Sequence, residues 1–293
     1  MARHKLPPCG FVAFIDNKEV ASFSIRRNRD FQICETSPSI ELRLFAVVLS
    51  ALILHSASTG NAEESPIELI RKHHGIDVRC TLPDILPDGI SAKESTDILA
   101  LRYSRNVFHP ELGLYPPGLL KRLGLKTIYV VNDLVVDGTD AAAIVLPEEG
   151  SLYIETVFPW RNVYLASTLH HEIYHLIDRK DGHLNDDKKW CALNPKSFTY
   201  GEEFGGQDGF FTEYSAFDMA EDKAELFSSL VMFENLVWQK CKTDVVLAKK
   251  VALIKQRTAK ASSGRCSEAF WERASWRKWN DQGQSFFERE ENY

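Results

Sequence analysis

Three histidines and a glutamate fall within six consecutive positions, 170–175, of the stretch ASTLHHEIYHLIDRK (residues 166–180), which otherwise has the apolar spacing of a helix. Residues His171-Glu172-Ile173-Tyr174-His175 form an HExxH pattern. On an α-helix the two outer histidines stand one turn apart on one face, about 6 Å along the axis, so both imidazoles reach one tetrahedral metal ion. Glu172, beside the first histidine, is placed to take a proton from a water whose pKa a Zn2+ ion lowers, which makes it the expected general base. Two imidazoles and a carboxylate on one helix face are costly to bury without such a shared partner. His170 points about 100° away from this face and reads as a packing or rim residue.

A catalytic zinc needs a third protein ligand and one open position. Two acids compete for the role. Asp181 stands ten residues after His171, the spacing of a metzincin third ligand, but Asp178 occupies the position where that pattern has glycine. Glu221 opens a second helical stretch, EYSAFDMAEDKAELF, about 45 residues downstream of the histidines. Glu221 and Glu225 lie one turn apart, so Glu221 can bind the metal while Glu225 accepts a hydrogen bond from a ligand histidine. Glu221 is the favoured third ligand.

These residues need a scaffold, and the order of hydrophobic patterns predicts an α+β fold: a small mixed sheet packed on the HExxH helix, followed by a helical C-terminal part. ISAKESTDILALRYSRNVFH has helical spacing, and YPPGLLKRLG predicts a short helix closed by Gly124. KTIYVVNDLVV and AAAIVLP are β-branched runs, and GSLYIETVF alternates apolar and polar residues after the turn signal PEEG. The stretch DGHLNDDKKWCALNPKSFTYGEEFGGQDGFF has no periodicity and reads as a long functional loop whose Phe198 and Tyr200 are candidates to line a cleft. Three helices are expected after it, from MAEDKAELFSSLVMFENLVWQK, DVVLAKKVALIKQR and SEAFWERASW.

The chain of 293 residues, 44% hydrophobic and 11% aromatic, is long and apolar enough for a sizeable core. A net charge of -6 with scattered cations leaves no basic footprint for nucleic acid. Leu44–Leu54 is apolar apart from Ser50, follows Arg43 and leads to Gly60-Asn61-Ala62, the order of a signal peptide and too short for a membrane span. Residues 1–62 are therefore expected to be an upstream segment and signal-peptide-like region, with the true translation start downstream of Met1, and residues 63–293 a secreted or periplasmic domain without a stable membrane span. Four cysteines follow the cleavage region: Cys80, Cys191, Cys241 and Cys266. In an oxidising compartment a Cys241–Cys266 disulfide is expected, as the closest pair in sequence.

The HExxH pattern, a tyrosine, and a glutamate opening the AEDKAELF helix resemble the gluzincin group that includes anthrax lethal factor and related bacterial zinc-binding metallopeptidases. The resemblance covers about residues 165–235. It implies a zincin-like metallopeptidase domain that hydrolyses peptide bonds in a peptide or protein substrate. By the same resemblance His171, His175 and Glu221 hold zinc, Glu172 is the general base and Tyr214, seven residues before Glu221, stabilises the oxyanion. Asp178 matches an acidic residue that supports the site. A zinc-stabilised binding module without catalysis would need the ligands but neither Glu172 nor Tyr214. Oligomeric state has no signature in the sequence.

Overall fold

The computed structural model describes residues 11–13, 21–23, 64–156, 162–184, 186–201, 208–279 and 285–287. The export pattern from Arg43 to Ala62 lies outside the described residues. The chain divides into two units, and the account below concerns the one that holds Pro66–Tyr293. Near the two ends of the chain, β1 (Phe11–Ala13) pairs antiparallel with β2 (Ala21–Phe23), and β9 (Arg277–Trp279) with β10 (Ser285–Phe287).

The main sheet is mixed. It comprises β3 (Asp77–Arg79), β4 (Ile90–Glu94), β5 (Thr127–Val136), β6 (Thr139–Asp140), β7 (Ala143–Leu146) and β8 (Ser151–Glu155), in the order β3-β5-β8-β7, with β4 and β6 also pairing on β5. β3 and β8 run parallel to β5, while β4, β6 and the edge strand β7 are antiparallel to their neighbours. The helices are α1 (Pro66–His74), α2 (Asp97–Tyr103), α3 (His109–Leu112), α4 (Leu119–Arg122), α5 (Asn162–Asp181), α6 (Lys188–Cys191), α7 (Met219–Cys241), α8 (Val245–Ala261) and α9 (Glu268–Ser275), with one π turn, Ser104–Phe108, joining α2 to α3. None of the helices among the described residues is long and apolar enough to cross a membrane.

α5 is the central element. From Leu165 to Asp178 every residue of it except His175 is buried, because the sheet covers one side and α7 and α8 cover another. Leu169, Ile173 and Ile177 share one core with Ile128, Val130, Leu152 and Ile154 of the sheet and with Phe227, Leu230, Val251 and Ile254 of the later helices. The opposite sheet face carries Tyr129, Val131, Leu134 and Tyr153 under Leu82, Leu86 and Ile90. Tyr129 and Tyr153 are directly opposite in register and stack at 4.8 Å, a favourable cross-strand pair. All five residues of β8 are buried, although its sequence alternates, because β8 lies between β5 and β7 and both of its faces are covered. Gly150 closes the β7–β8 turn at φ +77, where a Cβ would stand 2.4 Å from the Gly124 carbonyl oxygen. Only glycine meets both demands.

Two expectations about local structure change. The segment read as one helix from Ile90 begins as strand β4, and the helix starts only after Thr96, whose side chain caps Leu99 N–H. The helical spacing over ISAKE covers too few residues to oppose the pull of pairing with β5. The expected Cys241–Cys266 disulfide is not formed, and all four cysteines after Ala62 are free. The two stand at opposite ends of α8, whose 17 residues span about 25 Å, whereas a disulfide needs Cα atoms within about 7 Å.

Candidate metal centre

The site is built where α5 meets the first turns of α7. Asp218 caps α7 by accepting the Glu221 N–H at 2.8 Å, which starts the helix at the point where Glu221 faces α5. His171 Nε2 and His175 Nε2 are 3.2 Å apart. Glu221 places Oε2 2.9 Å from His171 Nε2 and Oε1 3.5 Å from His175 Nε2. One atom from each of the three residues lies within 4.8 Å of the others.

The donor set fits zinc. Two nitrogens each 2.0–2.1 Å from a tetrahedral ion stand about 3.3 Å apart, close to the separation of the two imidazoles. The buried Glu221 Oε2, 2.9 Å from His171 Nε2, completes a two-nitrogen, one-oxygen donor set of the kind zinc takes. His171 Nδ1 is 2.9 Å from Glu225 Oε1, so its N–H donates there and Nε2 is the nitrogen turned toward His175 and Glu221. Glu225 is oriented in turn by Thr212, whose hydroxyl donates to Oε2 at 2.7 Å.

Electrostatics separate the roles of the four carboxyl and imidazole groups here. Burial disfavours charge on His171, but Glu221 and Glu225 outweigh it and hold its pKa well above the usual value. Burial lowers His175 to about 4, only partly opposed by Glu221. Burial likewise opposes ionisation of Glu221, yet the neighbouring His171 brings its carboxyl down to about 2. Glu172 follows the opposite course, because burial raises it to about 7 even though Val145 N–H donates to its Oε2 at 2.9 Å. A carboxyl poised near neutrality can both take and return a proton.

A cavity of about 350 Å³ opens over these groups, with Glu172 and Tyr214 in its wall and Ala141, Ala143, Val145 and Leu184 among its apolar lining. Tyr214 lies on a single 3-10 turn before α7. Its ring is 6.3 Å from His171 and stacks on Phe217, and its hydroxyl hydrogen-bonds to Glu221.

Other sequence candidates lie elsewhere. Asp178 is not beside the ligand histidines; Lys223 Nζ holds it at 2.5 Å. Asp181, the alternative third ligand, is taken by Lys260 at 2.7 Å and does not join the cluster. His170 is buried against Glu111 at 2.8 Å and Tyr115 at 2.7 Å, away from the cavity. Phe198 and Tyr200 do not line the cleft. They pack with Phe210, and Tyr200 donates to Asp222 at 2.7 Å, which pins the long loop to α7. The roles of Thr212 and of the β7 lining have no counterpart in the sequence reading. Nothing in the local pattern marks a threonine nine residues before Glu221, or an apolar edge strand, as part of a site.

No protein-family model matches the chain, and no curated protein matches it. Among solved structures it is similar to a "putative zinc-binding metallo-peptidase" from Bacteroides caccae, at 14% identity over 72% of this chain and 95% of that one, with a TM-score of 0.45. A likeness of that extent decides neither fold nor activity.

Proposed function

We propose that this protein is a zinc-dependent peptidase with His171, His175 and Glu221 as metal ligands and Glu172 as general base. The observation that carries the reading is the convergence of two imidazoles and a carboxylate within 4.8 Å, in the wall of a cavity that also holds the buried Glu172. Bound there, zinc supplies Lewis acidity toward a carbonyl and lowers the pKa of a water. Glu172 takes the proton of the attacking water and returns it to the leaving amine. Tyr214, in the cavity wall, is the donor for the oxygen on which negative charge develops. Glu225 holds His171 in the tautomer whose Nε2 faces the ligand cluster. β7 is an edge strand along the same cavity, which favours an extended peptide as substrate because backbone pairing needs no particular side chain.

The test is hydrolysis of casein and of a peptide library by purified protein, with and without a chelator, alongside its zinc content. About one zinc per chain and chelator-sensitive cleavage are expected. Stoichiometric zinc with no cleavage of any peptide would instead favour a zinc-stabilised binding module. The proposal extends to export, on the Arg43–Ala62 pattern. Recovery of the protein outside the cytoplasm with an amino terminus near Glu63 is expected, and an intact cytoplasmic chain would refute it.

A further inference from the structure

Glu221 is followed directly by two charged residues that are almost completely buried, Asp222 at 1% exposure and Lys223 at 0%. Successive residues of a helix point about 100° apart, so Glu221, Asp222 and Lys223 look in three directions around α7. Each has its own partners. Asp222 Oδ2 accepts from Lys250 Nζ of α8 at 2.7 Å, from Trp190 Nε1 of α6 at 2.8 Å and from the Tyr200 hydroxyl at 2.7 Å. Lys223 Nζ pairs with Asp178 of α5 at 2.5 Å and donates to the His183 carbonyl just past that helix at 2.9 Å. Asp178, three residues after His175, is 1% exposed and Lys250 is 0% exposed.

Buried ion pairs contribute little net stability, and well-packed apolar residues in their place are often as stable or more so. Two such pairs directly after a single candidate ligand residue therefore call for another role. Each pair is directional: a helix rotated or shifted along its axis would strand a buried charge on at least one side. We infer that Asp222 and Lys223 are positioning residues, the pairs Asp222–Lys250 and Lys223–Asp178 fixing the rotation and depth of α7 so that Glu221 faces His171 and His175. The inference rests on the metal reading proposed above.

The double variant Asp178→Leu/Lys223→Met removes one pair without leaving an unpaired charge. Its metal-free form is expected to unfold at or above the wild-type temperature, while its zinc dissociation constant, measured by chelator competition, rises by about 10–100-fold. The absorption spectrum of its cobalt-loaded form should shift as well, since that reports ligand geometry and not fold. Asp222→Asn/Lys250→Met, which keeps an acceptor for Trp190 and Tyr200, should show the same loss. Zinc affinity and cobalt spectrum unchanged in both variants overturn the inference while leaving the metal site standing. Failure of both variants to fold also overturns it, because the pairs would then support the whole domain. Wild-type protein that binds no zinc refutes the metal reading itself, and this inference with it.

Discussion

Replacing Glu225 by alanine isolates the link between α7 and the first histidine ligand. In the structure Glu225 is 5% exposed, with Oε1 2.9 Å from His171 Nδ1 and Oε2 accepting the Thr212 hydroxyl at 2.7 Å. Without the carboxylate, the His171 ring loses the acceptor that fixes its tautomer and orientation, and its basicity as a ligand falls. Loss of such a partner weakens metal binding by about 10–100-fold, equivalent to about 1.4–2.8 kcal/mol. Glu225→Gln keeps an oxygen at the same place but no charge and should fall between wild type and Glu225→Ala. Thr212→Val leaves the carboxylate and removes its orienting donor together with the hydroxyl's contacts to Ser215, and it should have the smallest effect of the three on zinc affinity. Chelator-competition titration of zinc at fixed pH ranks the series. Glu225→Ala with wild-type zinc affinity would show that His171 is oriented by its packing in α5, and the reasoning from the 2.9 Å contact would be wrong.

Glu172→Gln should retain its zinc while peptide cleavage falls by about 10²–10⁴-fold, since it removes the proton carrier and no ligand; activity near wild type would take Glu172 out of the mechanism. Tyr214→Phe keeps the ring that stacks on Phe217 and should lower kcat by about 10²-fold with little change in zinc content, whereas an unchanged kcat would leave Tyr214 only a packing role. His74, buried on α1, has its pKa lowered to about 4 by burial, then by His73 and His109. The unfolded chain therefore binds a proton there that the folded chain refuses, so its contribution to stability is intact above pH 6.5 and is lost as pH falls toward 4. Urea unfolding at pH 7 and pH 5 should show a smaller pH-dependent loss for His74→Leu than for wild type; equal losses would refute the assignment.

The parts of the fold that are legible in the sequence are those whose signal is local. β5, β7 and β8 carry β-branched or alternating runs next to turn residues, and α5, α7, α8 and α9 carry helical periods long enough to read. β3 and β4 leave no such trace. They have three and five residues, and each is a strand because β5 offers it a partner about 40–50 residues away. Contact across that distance is paid for by sheet formation as a whole, not by the segment's own preference. The free cysteines make the same point in reverse: Cys241 and Cys266 are near in sequence, yet the rigid rise of α8 between them holds them apart.

At the candidate site, sequence alone determined that His171 and His175 share a helix face with Glu172 beside them, because helical pitch is a property of the backbone and not of the surroundings. It left Asp181 and Glu221 in competition, since both satisfy a spacing rule. Tertiary packing brings one of them to the imidazoles: α7 lies along α5 with Glu221 against His171 and His175, while Asp181 is drawn to Lys260 at the far end of the helix. Packing also decided what surrounds the site. Thr212 behind Glu225, the edge strand β7 beside Glu172, and the partners of Asp222 and Lys223 all come from segments remote in sequence. Spacing along one helix can be counted in residues, but which buried charge meets which partner depends on how helices and sheet close on one core, and no single segment encodes that.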